Sequence, residues 1–376
     1  MNELDNMRNE IDAIDHDLTV LFEKRMQIVN EVAAYKKRNQ LPVFHANREK
    51  EVIAKNKQFL NDVTLADALA QFLQATMNIS SKAQRLKITV PYSVDEHITC
   101  NTIDYTKTVG FQGVEGAYGD IAMKVFFGRK VCSKNYTNFE DVFIALKNGE
   151  ITYGVLPIEN TSTGAIHEVT DLMRQYGFYI VGEKVVKIEH CLMAPKGATV
   201  EGLKEIYSHP QAFGQSVKYL KTIDAKLIPY YNTAQSAKMV AERGDVTKGA
   251  ITSRQAADVY GLTILKENIE DYSRNATRFI VISDKLLDNE ICNKMSIIVS
   301  VPNISGSLHA LINYFADYQL NMFRIESRPH LENAWEYYFY IDFEGNLKQT
   351  QVAMALQHIE DFCTTFRFLG NYGQDT

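Results

Sequence analysis

Three cations lie on or beside one apolar seam near the start of this sequence, and their spacing suits the capture of a small molecule carrying two negative charges. Leu4, Met7, Ile11, Ile14, Leu18, Leu21, Ile28, Val32 and Tyr35 recur at alternating intervals of three and four, the seam of a coiled coil. The repeat asks for an apolar residue at position 25 and finds Arg25, a cation costly to bury unless an anion meets it. Arg8 and Lys36 flank the seam 28 residues, or four heptads, apart, so in a supercoil they face one way. They are also about 40 Å apart along a helix axis, too far for one metabolite to bridge. Two copies crossing antiparallel near Thr19 would bring Arg8 of one beside the gap between Arg25 and Lys36 of the other. The seam predicts a homodimer with two equivalent anion sites, each completed by the second copy, and leaves a tetramer open. Solvated face charges are the plain alternative for Arg8 and Lys36, and they fit Arg25 less well.

A second set of polar residues falls where strands should end. Four clusters stand out: the Gly-rich turn at 112–119, residues 159–164 (Glu159, Asn160, Thr161, Ser162, Thr163, Gly164), residues 208–212 around Ser208, His209 and Gln211, and residues 275–279 around Thr277, Arg278 and Phe279. In open α/β sheets ligands gather at such places. The Gly-rich turn could seat an anion on backbone N–H groups or be a plain tight turn, and it lacks the G-x-G-x-x-G spacing of a dinucleotide site. Taken singly, each cluster also suits capping and turn chemistry.

The elements that must carry these groups follow from periodicity. No Gly or Pro interrupts the chain before Pro42, so the seam belongs to a helix of about 35 residues and about 50 Å. After a break at Leu41–Pro42, helices are predicted over 45–60, with Arg48 and Glu49, and over 65–86, with Ser80 and Gln84 one turn apart on one face. Residues 87–106 lose the period and read as a linker. Residues 107–285 alternate strands and helices, with apolar strands at 151–157, 177–186 and 248–252, which predicts an α/β unit on a mostly parallel sheet. Residues 293–372 give strands at 295–301, 320–327, 335–343 and 366–369 and helices at 306–318 and 349–362, a βαββαβ order.

Composition bounds the rest. At 376 residues, 45% hydrophobic and 23% charged, the chain is long enough for two or three domains. A net charge of -6 argues against nucleic acid as a partner, and no run of about 18 apolar residues exists to span a membrane. The five cysteines have no metal spacing, and their odd number suits reduced thiols in the cytoplasm. No metal and no cofactor is expected.

Three family resemblances sharpen these readings. Residues 1–86 resemble the helical class of chorismate mutases. That resemblance implies that Arg8 of the second copy, Arg25 and Arg48 hold the two carboxylates, that Lys36 and Gln84 meet the ether oxygen, that Glu49 meets the ring hydroxyl and that Ser80 lines the pocket. His45 stands where several relatives carry an acidic side chain. A pericyclic rearrangement needs no nucleophile or metal, only a clamped conformer and stabilised charge separation, so fixed cations suit it. A neutral amide at Gln84 predicts a mutase with no demand for acid.

The ordered polar clusters of residues 107–285 resemble prephenate dehydratase, with its Thr-Arg-Phe signature at Thr277, Arg278 and Phe279. The resemblance implies two lobes arranged like a type II periplasmic binding protein, with crossings near 187–194 and before Thr277. Thr277 would assist departure of hydroxide, and Arg278 with the Asn160 and Ser162 loop would fix the acid. Thr163, Ser208, Gln211 and Gln215 are further pocket candidates, and His209 is a candidate general acid against a structural role.

Residues 293–372 are similar to an ACT regulatory domain of ferredoxin-like fold, with Glu326-Ser327-Arg328-Pro329 in the form seen in phenylalanine-sensing dehydratases. The loop Asn303, Ile304, Ser305, Gly306, Ser307, Leu308 takes the place of the effector loop. Glu326 or backbone carbonyls would face the ammonium of L-phenylalanine, and Arg328 or loop N–H groups its carboxylate or the dimer contact. Together these imply a multidomain bifunctional enzyme making prephenate from chorismate and phenylpyruvate from prephenate, under feedback by phenylalanine. A mutase fused to an inactive dehydratase-like binding unit, and a non-catalytic dimeric metabolite sensor, are the rival readings.

Overall fold

The computed structural model describes residues 3–39, 41, 46–330 and 336–375. Pro42, His45 and Trp335, which bear on the predicted boundaries, lie outside the described residues. The chain divides into two compact units, Met1–Tyr92 with Met354–Asp361, and Ser93–Ala353 with Phe362–Thr376.

The first unit is helical: α1 (Glu3–Arg38), α2 (Ala46–Lys57) and α3 (Ala66–Ile88). α1 opens on Glu3 and Asp5 and ends on Lys36, Lys37 and Arg38, charges that complement the helix dipole at both ends. Its 36 residues run about 54 Å at ~1.5 Å each. Val29 and Ala33 are buried on the side where α1 lies along α3. The predicted seam is turned elsewhere: Leu4, Met7, Ile11, Ile14, Leu18, Leu21, Ile28, Val32 and Tyr35 are 39% to 61% exposed.

The second unit begins inside the predicted linker. β1 (Thr99–Cys100) pairs in parallel with a later strand, and the Asp104 N–H donates to the Tyr153 hydroxyl at 2.9 Å, so the second half of 87–106 is built into the unit. A two-residue strand is too short to leave a period in the sequence. The chain continues through β2 (Val109–Gln112), α4 (Tyr118–Phe127), β3 (Ser133–Tyr136), α5 (Phe139–Lys147), β4 (Tyr153–Asn160), β5 (Gly164–Ala165), α6 (His167–Tyr176) and β6 (Tyr179–Lys187). It then crosses into a second lobe of β7 (Cys191–Ala194), β8 (Glu205–Ser208), α7 (Pro210–Gly214), α8 (Val217–Leu220), β9 (Lys226–Pro229), α9 (Thr233–Arg243), β10 (Lys248–Thr252), α10 (Arg254–Tyr260) and β11 (Thr263–Lys266). It returns as β12 (Ala276–Ser283), which adds to the first lobe and is followed by β13 (Leu286–Leu287), the partner of β1. The last segment is β14 (Lys294–Ser300), α11 (Ser307–Asp317), β15 (Met322–Pro329), β16 (Tyr337–Glu344), α12 (Thr350–Phe362) and β17 (Thr365–Tyr372), the βαββαβ order read from sequence.

Neither lobe has the mostly parallel sheet that was expected. β12 runs antiparallel between β4 and β6, and β7 runs antiparallel between β10 and β11. The cause is the double crossing, because a strand that arrives from the other lobe enters the sheet from the opposite end. The two crossing segments are tied to each other: the Ile188 N–H donates to Asn275 O at 2.8 Å and the Ile269 N–H to His190 O at 3.0 Å. One face of the first lobe's sheet packs on Ala122, Met123 and Phe127 of α4, and the other on Val142, Phe143, Leu172 and Met173 of α5 and α6.

The four strands of the βαββαβ segment pair antiparallel in the order β15-β16-β14-β17. β17 then joins β6 through Gly370 opposite Ile180, giving one continuous ten-stranded sheet. A Cβ at Gly370 would stand 2.3 Å from the Ile180 carbonyl oxygen, so only glycine allows this join.

Candidate active sites

In the helical unit, the residue that breaks the seam reaches for its neighbour helix. Arg25 Nη1 donates to Ser80 Oγ and to Thr76 O at 3.4 Å, and burial lowers the Arg25 pKa. Ser80 and Gln84 are buried one turn apart on α3, as their spacing predicts. The Gln84 Oε1 is buried with no hydrogen-bond partner among the described residues. Such an atom costs about 1–3 kcal/mol in a finished core, which suits a pocket wall better than packing. Lys36, about three turns along α1 from Arg25, is half-buried, and burial lowers its pKa. Glu49 of α2 accepts from Gln74 Nε2 at 2.9 Å.

Two predicted cations are not brought to this group within the chain. Arg48 is exposed and pairs with Glu51 at 3.3 Å. Arg8 is exposed near the far end of α1 beside Asp5 at 3.8 Å. Arg8 was expected from a second copy, and its position on the same helix as the exposed seam leaves it where a crossing copy could present it.

Between the lobes, Asn160 at the end of β4 stands opposite Thr277 at the start of β12. The Asn160 Oδ1 accepts from the backbone N–H groups of Ser162 at 2.9 Å and Thr163 at 3.2 Å. Backbone donors cannot be flipped, so they fix the side-chain amide with its nitrogen toward β12. Asn160 Nδ2 donates to Thr277 Oγ1 at 2.9 Å and to Asn275 Oδ1 at 2.9 Å. The Thr277 oxygen is thereby an acceptor, and its own proton is left to donate elsewhere. Ser162 Oγ donates to Asn160 Oδ1 at 2.6 Å, and Gln215 Nε2 from the second lobe donates to Ser162 Oγ at 2.7 Å. Gln211 Nε2 donates to Thr163 Oγ1 at 2.9 Å. Asn160, Ser162, Thr163, Gln211, Gln215 and Thr277 are thus joined in one hydrogen-bonded group.

Two residues missed in the sequence join this network. His190 Nε2 lies 2.9 Å from Gln215 Oε1, and its Nδ1 lies 3.3 Å from the Tyr118 hydroxyl. Burial lowers the His190 pKa, with Gln215 and Glu270 acting against it, while burial pushes the Tyr118 hydroxyl well above its ordinary value. The signal for His190 was its place inside the crossing strand expected near 187–194. That strand was expected, but no chemistry was assigned to it.

Other predicted site residues are turned away. Arg278 follows Thr277 on a strand, so its side chain leaves by the opposite face. There it meets Asp342 at 2.7 Å, Glu159 at 3.0 Å and Glu183 at 3.2 Å. Burial opposes the Arg278 charge, and Asp342 with the other acids overcomes this and raises its pKa. Phe279 is buried in the core beneath α4. Ser208 is fully buried and donates to Ile251 O at 2.6 Å. His209 caps α7, its Nδ1 accepting from the Gln211 N–H at 3.2 Å, and burial lowers its pKa. The Gly-rich turn serves the lobes themselves: Ser253 Oγ donates to Gly116 O at 2.7 Å, and a Cβ at Gly116 (φ +80°) would stand 2.9 Å from Ala256 Cα.

The prephenate dehydratase family matches residues 109–286, and the type II chorismate mutase family matches residues 7–85. The bifunctional chorismate mutase/prephenate dehydratase of Buchnera aphidicola subsp. Schizaphis graminum is 30% identical over 382 residues, covering 99% of this chain and 96% of its own. The chain belongs to the bifunctional chorismate mutase/prephenate dehydratase family. Two solved structures are similar over 71% of it with a TM-score of 0.65. One is the prephenate dehydratase of Arthrobacter aurescens in complex with L-Phe, at 28% identity and 90% of that chain. The other is GqqA, described as a quorum quenching acylase, at 29% identity and 98% of that chain.

In this bifunctional chain the βαββαβ segment lies beyond both family matches. Its ESRP string does not present its charges as expected. Glu326 and Arg328 share one face of β15 with Arg324 and point at α6, Arg328 Nη2 meeting Asp171 at 2.6 Å and Glu326 lying 4.0 Å from His167. Ser327 leaves by the other face with Phe323 and Ile325. Gly306 takes φ +87° just before α11, and Ser307 is buried behind it, while Leu308 is exposed. Asn303 lies in the same loop. Among the described residues no group of acids, histidines and cysteines could hold a metal, and no helix is long and apolar enough to cross a membrane.

Proposed function

We propose that residues 1–86 are the chorismate mutase, residues 107–285 the prephenate dehydratase and residues 293–372 an ACT-type unit that senses L-phenylalanine. Chorismate is rearranged to prephenate in the first site, and prephenate loses carbon dioxide and hydroxide to give phenylpyruvate in the second. The carrying observation is the fixed Asn160 amide, which donates to Thr277 and leaves the threonine proton free for the departing hydroxyl. Aromatisation supplies the driving force, so a well-placed neutral hydroxyl suffices. With Arg278 committed to three carboxylates, the carboxylates of prephenate are left to the Gln211 amide and the Thr163 hydroxyl, while Ser162 and Gln215 order the hydrogen bonds around Asn160. Chorismate supplied to the full chain should yield prephenate and then phenylpyruvate. Accumulation of prephenate alone would remove the second assignment.

In the mutase, Arg25, Lys36, Ser80, Gln84 and Glu49 form one half of a site that Arg8 of a second copy completes. The long exposed seam on α1 supports that homodimer, since nine large apolar side chains in register seldom stay in water. Gln84 is neutral at any ordinary pH, so the mutase rate is expected to be level from mildly acidic to neutral pH. Burial disfavours charged Lys36, which therefore loses its proton, and the mutase its cation, at a lower alkaline pH than an ordinary lysine would. A rate that climbs steeply below neutrality in a pH profile with chorismate would contradict this.

The regulatory reading rests on position. Arg328 grips Asp171 of α6, and the Tyr340 hydroxyl donates to Thr170 O at 2.8 Å, so the segment is docked on the helix that follows the Asn160 loop. Backbone groups of the loop at 303–308 other than the bonded N–H groups of Ile304 and Ser307, together with Ser327, are the effector contacts of this reading. Calorimetric titration with L-phenylalanine is expected to give a saturable heat, with a coupling to catalysis of about 1–3 kcal/mol. No heat would remove the sensor. The five unpaired cysteines support a cytoplasmic setting.

A further inference from the structure

We infer that His190 is a positioning residue of the dehydratase, holding Gln215 so that the hydrogen bonds between them and Thr277 all run one way. The inference rests on the assignment of Thr277 made above and adds a group outside that assignment.

The direction is set from the Thr277 end. Backbone N–H groups pin Asn160 Oδ1, and Ser162 Oγ gives its single proton to that same oxygen at 2.6 Å. Having no second proton, Ser162 can only accept from Gln215, 2.7 Å away. Gln215 must then turn its NH2 toward Ser162 and its carbonyl toward His190. A carbonyl accepts only, so His190 carries its proton on Nε2, 2.9 Å away. The chain of donation is His190, Gln215, Ser162, Asn160, Thr277, and its free end is the threonine proton.

His190 is the member that keeps this order from reversing. Without a donor at that place, the Gln215 amide can turn over and offer its oxygen to Ser162, drawing the serine proton away from Asn160. His190 is suited to hold its station. It is 2% exposed, its backbone N–H donates to Glu270 at 3.0 Å, and its carbonyl accepts from Ile269, both in the returning crossing segment. Gln215 is also anchored, its backbone carbonyl accepting from the Asp271 N–H at 2.7 Å. Donor and acceptor are thus both tied to the returning crossing segment and keep their spacing.

The test compares full-length variants on prephenate, with turnover of chorismate in the same preparation reporting on the intact remainder of the chain. His190→Leu is expected to lower the dehydratase kcat by about 10- to 100-fold with KM for prephenate within about threefold, because the loss concerns a donor used as hydroxide leaves. Glutamine places its N–H near the imidazole Nε2 position and asparagine near Nδ1. His190→Gln should therefore stay within about threefold of the parent in kcat while His190→Asn falls about as far as leucine. Ser162→Ala combined with His190→Leu should be no slower than the slower single variant, since both cut one chain.

Equal losses for glutamine and asparagine, or losses for Ser162→Ala and His190→Leu that multiply, would overturn the inference and leave a packing role. An unaffected His190→Leu beside an inactive Thr277→Ala would overturn it while sparing the site assignment. An active Thr277→Ala would bring down the assignment and the inference with it. Should the leucine variant fail to fold, the contrast between glutamine and asparagine decides alone.

Discussion

Arg25→Ala is expected to lower the mutase kcat about 100- to 1,000-fold while leaving the conversion of supplied prephenate untouched. The guanidinium is held at Ser80 and Thr76 O, half-buried, on a helix position that the seam reserves for an apolar side chain. Its desolvation is compensated when a carboxylate binds, and that compensation stabilises the charge-separated transition state. Arg25→Lys should recover little, because an ammonium cannot hold a carboxylate by two parallel N–H groups. Arg25→Leu separates function from folding. It completes the apolar repeat, so it should raise the melting temperature while abolishing the mutase, whereas a merely structural arginine would give the opposite change in stability.

Thr277→Ala is expected to lower prephenate turnover about 100- to 10,000-fold and to make the chain accumulate prephenate from chorismate. The threonine oxygen already accepts from Asn160 Nδ2, and this stabilises it as its proton moves toward the leaving hydroxyl. Thr277→Ser keeps both the acceptor and the proton and should remain within about tenfold. Comparable losses in serine and alanine variants would mean that the methyl group, not the hydroxyl, is what the site uses. His209, by contrast, has its Nδ1 engaged as the cap on α7.

The long helix, its seam and the misfit at position 25 were legible because heptad spacing and burial cost are local properties of a sequence. The pairing of Ser80 with Gln84 was legible for the same reason, being one helical turn. The Thr-Arg-Phe string shows where such reasoning stops short. Adjacent residues on a strand leave by opposite faces, so Thr277 and Arg278 could not both line the cleft, and the period of two would have said so had the string been read as strand. Glu326 and Arg328 repeat the lesson in reverse: two residues apart, they share a face, and that face meets α6. The antiparallel run of β12 and the join at Gly370 depend on strands distant in sequence and leave no local trace. His190 stayed hidden because its partners, Gln215 and Tyr118, come from different lobes.

Arg278 gains a different meaning from the one the sequence suggested. Its guanidinium joins Glu159 and Glu183 of the dehydratase lobe to Asp342 of the βαββαβ segment, with Lys294 bound to Glu183 at 2.8 Å. Burial raises the Asp342 pKa and Arg278 with Arg324 more than reverses it, so the carboxylate stays charged. Removing one partner from such a set leaves an uncompensated buried charge, costly by about 3–5 kcal/mol.

The sharing of one mutase site by two chains is tested most directly by mixing inactive variants. Arg8→Ala and Arg25→Ala chains, each without mutase activity alone, are unfolded or dissociated together and allowed to reassociate. In a mixed pair one site carries both substitutions and the other carries neither, so with random pairing about one quarter of the parent activity should return. Mixing that restores nothing, together with a solution mass of one chain, would show that the seam does not pair and that Arg8 serves no site.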